Sequence, residues 1–271
     1  MQSGWPAAER ERRRAGPRVA LTSRVELECE GVASALCGAS LDVGLGGLCI
    51  ELPCAIDLES VRSVRIRHGR RDLTLRARGS WQRDTRARGV VLLGVQFLDL
   101  DSQQSAALWE LVNLRALELT RFLVERSDLA PIDVDIAMDL TLATRRRQFA
   151  ASQRIYRHGE EAESESSIFI VAHGRVCLEA ETAGGIRVVL DHAEAGQVFG
   201  GAPCLLRIPH VDSAVAESAV QLLEIDEFSL RSLVAEKPLV ARALEHAALR
   251  RYLRHIPALL RAHELGSPEP G

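Results

Sequence analysis

Residues 19–100 form a run of short segments in which apolar and polar residues partly alternate. The segments are rich in β-branched residues and are separated by glycine, aspartate and charged turns, with no helical stretch between them. Such a pattern predicts short β-strands, and strands at this spacing predict a small antiparallel barrel. The six segments are VALTSRVELEC, ASALCGASLDV, GLCIELP, SVRIRHG, LTLRARGSWQR and GVVLLGVQFLDLD.

A helix is predicted over residues 102–123, SQQSAALWELVNLRALELTRFL, where apolar residues recur at helical spacing. Asp101 or Ser102 can cap its first turn. Its expected apolar face consists of Leu108, Leu111, Val112, Leu114, Leu117 and Leu119. Proline and aspartates mark residues 129–135 as a linker, and a short helix is expected at about 136–147.

A second strand-rich stretch starts near Phe149 and continues to about residue 223, with glycine turns between its apolar strands. Residues 224–263 then predict helices that close a second domain. The chain is therefore expected to be mainly β with helices and to contain two domains. Their expected bounds are a flexible tail at 1–9, a first domain at 10–125, a linker at 126–140, a second domain at 141–263 and a tail at 264–271.

Composition is consistent with two folded domains, because 46% of the 271 residues are hydrophobic. A net charge of −3 gives no general attraction to nucleic acid. No apolar run reaches the roughly 20 residues of a membrane span, and the N-terminal segment lacks the apolar core of a signal peptide. We therefore expect a cytoplasmic protein without a transmembrane segment.

The residue patterns predict neither a metal-binding site nor a catalytic site. The six cysteines occur without CxxC pairs, which is typical of small buried side chains rather than of metal ligands. No GxSxG, HExxH or P-loop pattern occurs. We therefore expect no catalytic residues, no metal and no cofactor, and a protein that is not an enzyme.

The first candidate site joins a basic arm to a glycine-rich turn. The arm lies in ERRRAGPR and has RxxxR spacing, and the turn is DVGLGG, some two dozen residues later. Guanidinium groups offer planar forks to phosphate and guanine edges, and glycines let backbone N–H groups approach phosphates. An aspartate can accept hydrogen bonds from a guanine. The candidate contacts are Arg14, Arg18, Asp42, Gly44, Gly46 and Gly47.

These two motifs, with the barrel that follows them and the closing GVQFLDLD before a helix, resemble a PilZ domain over about residues 10–123. The resemblance implies a six-stranded antiparallel β-barrel that binds cyclic di-GMP. Gly44 stands where the family pattern has serine. A lost hydroxyl contact costs about 0.5–1.5 kcal/mol, at most about tenfold in affinity, so binding is expected to be weakened but not abolished. The alternative is that Asp42 and the glycines form only a tight hairpin.

The second candidate site lies in FGGAPCLLRIPHVDSAVAES. The chain from Phe149 resembles a cyclic-nucleotide-binding jelly roll, and this segment stands where that family keeps its phosphate-binding cassette. The resemblance implies a pocket formed by Phe199, Gly200, Gly201, Ala202, His210, Val211 and Asp212. Gly201 and His210 replace the family's ribose-binding glutamate and phosphate-binding arginine. Losing an anion's guanidinium partner costs several kcal/mol, so we expect a degenerate pocket without useful affinity for cyclic AMP or cyclic GMP.

The sequence thus predicts a bacterial signalling receptor for cyclic di-GMP, with a linker helix and a second, degenerate nucleotide-binding domain. Two alternatives stay open: a protein-interaction scaffold in which both pockets are inactive, and a cyclic-mononucleotide sensor that uses the second domain. We expect an unidentified downstream protein partner and no direct DNA binding. The leucine-rich helices at 102–123 and 239–263 make a homodimer possible.

Overall fold

The structure is a computed structural model that describes residues 18–84, 89–159, 167–181, 185–201, 204–205 and 208–266. Arg14, Ala202 and the tail at 1–9 lie outside the described residues. Contacts between residues divide the chain into two units, Met1–Leu117 and Glu118–Gly271. No helix of the described chain is long and apolar enough to cross a membrane.

The first unit consists of seven strands, a 3-10 turn and the first part of a helix. These elements are β1 (Arg18–Ala20), β2 (Arg24–Cys29), β3 (Leu36–Gly44), β4 (Gly47–Leu52), the 3-10 turn (Leu58–Ser60), β5 (Val61–His68), β6 (Arg71–Asp84), β7 (Val91–Phe97) and α1 (Ser102–Arg126). The strands correspond to the segments in which apolar and polar residues alternate.

Six of the strands close into an antiparallel barrel in the order β3-β2-β5-β6-β7-β4, since β4 pairs back onto β3. The short β1 continues along the edge of β3 that β2 occupies, with Arg18 opposite Gly44 and Ala20 opposite Asp42. The predicted six-stranded barrel is confirmed.

The alternating pattern explains which side chains fill this barrel. Val25 and Leu27 on β2 are buried, as are Val64 and Ile66 on the neighbouring β5, while the intervening Glu26 and Arg65 are partly exposed. Successive side chains of a strand point to opposite faces, so one face of each strand supplies the core. The interior of the barrel is therefore packed with side chains. The described residues of the first candidate site lie near the strand ends and in a turn.

Helix α1 begins where the sequence predicts, and the Asp101 side chain accepts a hydrogen bond from the backbone N–H of Gln104 at 2.7 Å. Leu108 and Leu111 are buried as expected. The prediction for Leu114 and Leu117 is wrong, since they are 44% and 59% exposed. At about 100° per residue, Leu117 lies on the side of the helix opposite Leu108, and Leu114 lies about 120° away from it.

Among its described residues, the second unit contains the end of α1, two sheets and the helices α2 to α4. Its elements are α2 (Val134–Ala143), β8 (Arg145–Phe149), β9 (Arg154–Tyr156), β10 (Ser167–His173), β11 (Val176–Glu181), β12 (Arg187–Ala193), β13 (Val198–Phe199), β14 (Ser213–Ala216), β15 (Val220–Asp226), α3 (Glu227–Glu236) and α4 (Pro238–Gly266). The last helix includes the first residues of the predicted tail.

The described strands form two four-stranded sheets in the orders β13-β10-β15-β8 and β12-β11-β14-β9. Their facing residues enclose a core that includes Phe169, Leu178 and Leu222. The helix predicted to reach Arg147 is too long, because Arg145–Phe149 is a strand paired with β15. There Arg145 and Arg147 contact the buried Glu224, at 2.5 Å and 3.5 Å between guanidinium N and carboxylate O, which favours the extended conformation. The jelly roll with closing helices is confirmed.

Candidate functional sites

In the barrel, Arg18 and Asp42 meet across the β1–β3 pair. Arg18 Nη1 donates a hydrogen bond to Asp42 Oδ1 at 2.5 Å, and the side chains are 30% and 11% exposed. Because Ala20 is opposite Asp42 and Arg18 is opposite Gly44, the strand register brings the two charged groups together. Among the described residues this is the side-chain contact of the Arg18 guanidinium, which has five N–H donors in all. The structure thus joins one arginine of the arm to the aspartate of the turn.

The glycine-rich turn is a hairpin that connects β3 and β4, with Gly44 opposite Gly47. A Cβ on Gly47 would lie 2.2 Å from the carbonyl oxygen of Val95 on β7, so this position requires glycine for packing. A Cβ on Gly46 would meet nothing within 4 Å. The close approach of the β4 and β7 backbones therefore requires glycine at position 47. A side chain at position 46 would meet no steric obstacle.

A further cation, Arg115 of α1, was missed by the sequence analysis. Its Nε donates a hydrogen bond to the carbonyl oxygen of Ala20 at 2.9 Å, on the strand residue opposite Asp42. Nothing in the sequence pairs a helix residue with a strand 95 positions earlier. Arg115 therefore helps to position β1, the strand that carries Arg18.

In the jelly roll, the predicted cassette residues surround a small cavity of about 40 Å³. Phe199, Gly200, Gly201, His210, Val211 and Asp212 all line it. The imidazole of His210 stacks on the ring of Tyr156 with centroids 3.9 Å apart, and Tyr156 Oη donates a hydrogen bond to Asp212 Oδ1 at 2.9 Å. The structure thus gathers every described residue that the sequence analysis assigned to this pocket.

Helix α4 closes this cavity with residues that the sequence analysis did not identify. Ala248, Arg251, Tyr252 and His255 line it from that side. Arg251 Nη1 donates a hydrogen bond to Asp191 Oδ2 at 2.9 Å, and His255 Nδ1 lies 3.6 Å from Asp212 Oδ2. Arginines and leucines alternate along this helix, so no sequence signal separates Arg251, which is 3% exposed, from its solvated neighbours.

The burial of these charged groups changes their protonation. Burial raises the pKa of Asp212 to about 6, although the hydrogen bond from Tyr156 acts in the opposite direction. Burial lowers the pKa of His255 to about 4, against the attraction of Asp191. Near neutral pH, His255 is uncharged and Asp212 is an anion beside the cavity. The lining of this cavity therefore combines the carboxylate of Asp212 with the guanidinium of Arg251, which is paired with Asp191.

The fold and these two sites define a protein with two ligand-binding regulatory domains in series. Residues 12–114 match the family model of the PilZ domain, and residues 146–237 match that of the cyclic nucleotide-binding domain. The chain is a PilZ domain fused to a cyclic nucleotide-binding domain. Neither domain is a catalytic one. Among curated proteins, none matches this chain.

Three solved structures are similar to part of this chain. The regulatory domain of Toxoplasma gondii PKA with cAMP is 18% identical, with 58% of this chain and 59% of that chain covered and a TM-score of 0.46. The catabolite activator protein of Thermus thermophilus is 29% identical, with 51% and 61% covered and a TM-score of 0.41. The c-di-GMP responsive global regulator CLP of Xanthomonas campestris is 18% identical, with 48% and 64% covered and a TM-score of 0.41. The chain thus spans less than two thirds of each.

Proposed function

We propose that this protein is a signalling receptor for cyclic di-GMP and that the PilZ domain holds the ligand. The observation that carries the proposal is the contact of 2.5 Å between Arg18 Nη1 and Asp42 Oδ1 beside the Gly44–Gly47 hairpin. Arg14 belongs to the same proposed site by its RxxxR spacing. The output passes to an unidentified protein partner, because neither domain is catalytic.

The Arg18–Asp42 pair supports binding because it prepares both groups for a doubly charged purine ligand. Asp42 holds the Arg18 guanidinium through Nη1, and within the described part of the chain the other N–H donors can serve a phosphate or a guanine edge. Asp42 in turn keeps a second carboxylate oxygen as an acceptor for guanine N–H groups. Preorganised groups lose less entropy on binding, which offsets part of the loss of the serine hydroxyl at Gly44.

We further propose that the cyclic nucleotide-binding domain takes up no cyclic mononucleotide. A ligand of that size needs a cavity of about 300 Å³ or more, whereas the space between the cassette and α4 is about 40 Å³. His210 replaces the arginine that would pair with a cyclic phosphate, and the Arg251 guanidinium in the cavity lining already contacts Asp191 at 2.9 Å. Both features support a domain that serves in packing or partner contacts.

Calorimetric titration of the full chain with cyclic di-GMP tests the first proposal. We expect Arg18→Ala to weaken binding by about tenfold to a hundredfold, since a charge-assisted hydrogen bond contributes about 1.5–3 kcal/mol. Arg65→Ala is the matched control, because Arg65 also contacts an aspartate, Asp72, at 2.5 Å on the same barrel. Equal affinity in Arg18→Ala and Arg65→Ala, or no heat with the wild type, would remove the assignment.

A second candidate function is a protein-interaction scaffold with both pockets inactive. Gly44, Gly201 and His210 favour it, because each departs from its family's motif. Thermal unfolding with cyclic di-GMP, cyclic AMP and cyclic GMP separates the candidates, since a ligand that binds only the native state raises the midpoint. A rise with none of the three supports the scaffold, and a rise with a mononucleotide alone supports a cyclic-mononucleotide sensor.

A further inference from the structure

We propose that Cys177, His192 and Glu217 form a binding site for Zn²⁺ on the β12-β11-β14 face of the jelly roll. One ligand atom from each residue lies within 4.8 Å of the other two. Sulfur, imidazole nitrogen and carboxylate oxygen are the donor atoms that zinc takes in proteins, and three protein ligands leave a fourth position for water.

The strand register fixes these three residues close together. Cys177 on the central strand β11 lies directly opposite His192 on β12 and opposite Val215 on β14. Glu217 follows the last residue of β14, and its backbone N–H donates a hydrogen bond to the carbonyl oxygen of Arg175 at 2.9 Å. Hydrogen-bonded strands on either side of β11 thus hold all three side chains on a rigid element, which is where a metal site can be preorganised.

The distances suit a tetrahedral ion. His192 Nδ1 lies 3.2 Å from Glu217 Oε2. Ligands at 2.0–2.1 Å from a tetrahedral zinc ion are separated by about 3.3 Å, which is the edge of that tetrahedron. Although Glu217 Oε2 is near, the two atoms are not aligned for a hydrogen bond, and the buried His192 Nδ1 makes none within the described residues. A cation between the two atoms would give this nitrogen the partner that it lacks.

The surroundings resemble an outer shell around such a site. Arg175 Nε contacts Glu217 Oε2 at 3.0 Å, and carboxylates that bind metals are themselves commonly hydrogen-bonded. Cys177 is 8% exposed, and burial raises its pKa to about 11, so an incoming cation must displace the thiol proton. That displacement and the charge of Arg175 both oppose binding, so the expected affinity is below that of sites with several thiolates.

Cobalt spectroscopy on the full, untagged chain tests this site. We expect Co²⁺ to give the charge-transfer band of a cobalt–thiolate bond and Zn²⁺ to displace it at one equivalent. Cys177→Ser removes the thiolate and should abolish the band. Cys54→Ser is the control, because Cys54 is an exposed cysteine of the barrel and should leave the band unchanged.

A second variant keeps the test decisive if Cys177→Ser fails to fold. Glu217 is 36% exposed, so Glu217→Gln should fold and should weaken Zn²⁺ binding at least about tenfold, the loss that even an outer-shell partner causes. Competition with a chromophoric chelator measures this change. Equal Zn²⁺ uptake by the wild type and Glu217→Gln, or a cobalt band that survives in Cys177→Ser, would overturn the proposal and indicate adventitious binding only.

Discussion

The Asp212→Asn variant tests the electrostatics of the jelly-roll cavity. Asp212 is 6% exposed, accepts a hydrogen bond from Tyr156 Oη at 2.9 Å and faces His255 at 3.6 Å. Asparagine has nearly the same shape and keeps an oxygen that can accept the Tyr156 hydrogen bond. The substitution therefore removes a titrating carboxyl group and changes little else.

The magnitude follows from the pKa of Asp212, which burial raises from 3.8 to about 6. A folded-state pKa above the unfolded value means that the group stabilises the fold fully below pH 3.8 and loses that contribution as the pH rises through about 6. At 1.36 kcal/mol per pKa unit, the loss is about 3 kcal/mol. Relative to the wild type, Asp212→Asn should therefore gain about 2–3 kcal/mol of unfolding free energy between pH 4 and pH 7.

His255 titrates in the opposite direction, which makes the variant informative. Burial lowers its pKa from 6.5 to about 4, so its contribution is fully present above pH 6.5 and is lost as the pH falls through about 4. In the wild type the effects of Asp212 and His255 nearly cancel across this range. Without Asp212, the slope from His255 should appear as stability that rises with pH.

Denaturant unfolding followed by far-ultraviolet circular dichroism at several pH values measures these changes. Tryptophan fluorescence supplies an internal reference, because Trp5, Trp81 and Trp109 all belong to the first unit. The exposed Asp135→Asn is the matched control and should stay within about 0.5 kcal/mol of the wild type at every pH. If Asp212→Asn runs parallel to the wild type from pH 4 to pH 7, the assignment of a buried, strongly perturbed carboxyl group is wrong.

Three further outcomes follow from the contacts above. Gly47→Ala should destabilise the barrel by about 1–3 kcal/mol through overpacking, whereas Gly46→Ala should change its unfolding free energy by less than about 0.5 kcal/mol; urea unfolding compares them. Gly44→Ser should tighten cyclic di-GMP binding by up to about tenfold in calorimetry, and unchanged affinity would exclude a hydroxyl contact there. Burial alone would raise the pKa of Glu224, but Arg145, Arg147 and two hydrogen bonds hold it at about 2. Glu224→Gln should therefore lose about 3 kcal/mol at pH 7, a loss that shrinks as the pH falls from 4.5 to 2 in acid titration.

The alternating pattern was sufficient to predict the barrel, because burial on one face leaves a signal in each strand separately. The segment RRRQF shows where this fails. A helix was expected to continue through Arg147, but the buried Glu224, which lies 79 positions beyond Arg145, pairs with Arg145 in a strand although arginine and glutamine have no strand preference. A contact between residues so distant in sequence leaves no local periodicity.

The candidate site residues show the same difference between local patterns, which the sequence reveals, and long-range contacts, which it does not. Asp42 and the glycines were found because one hairpin contains them, and Arg18 because its spacing to Arg14 is local. Arg251 and His255 were not found, because the packing of α4 onto the cassette selects them from many similar residues. The cluster around Cys177 was also missed, since its other members follow 15 and 40 positions later and meet only through strand register.

The closure of β4 onto β3 has a consequence for how the protein behaves when it is concentrated or partly unfolded. Closure gives each of the six strands a hydrogen-bonded neighbour on both edges over part or all of its length, so little of the barrel is left for a neighbouring molecule to extend. The second unit differs, because its two described sheets end in β13 and β8 and in β12 and β9. Aggregation by intermolecular strand addition should therefore begin in the second unit, and amide hydrogen exchange should be slowest in the barrel.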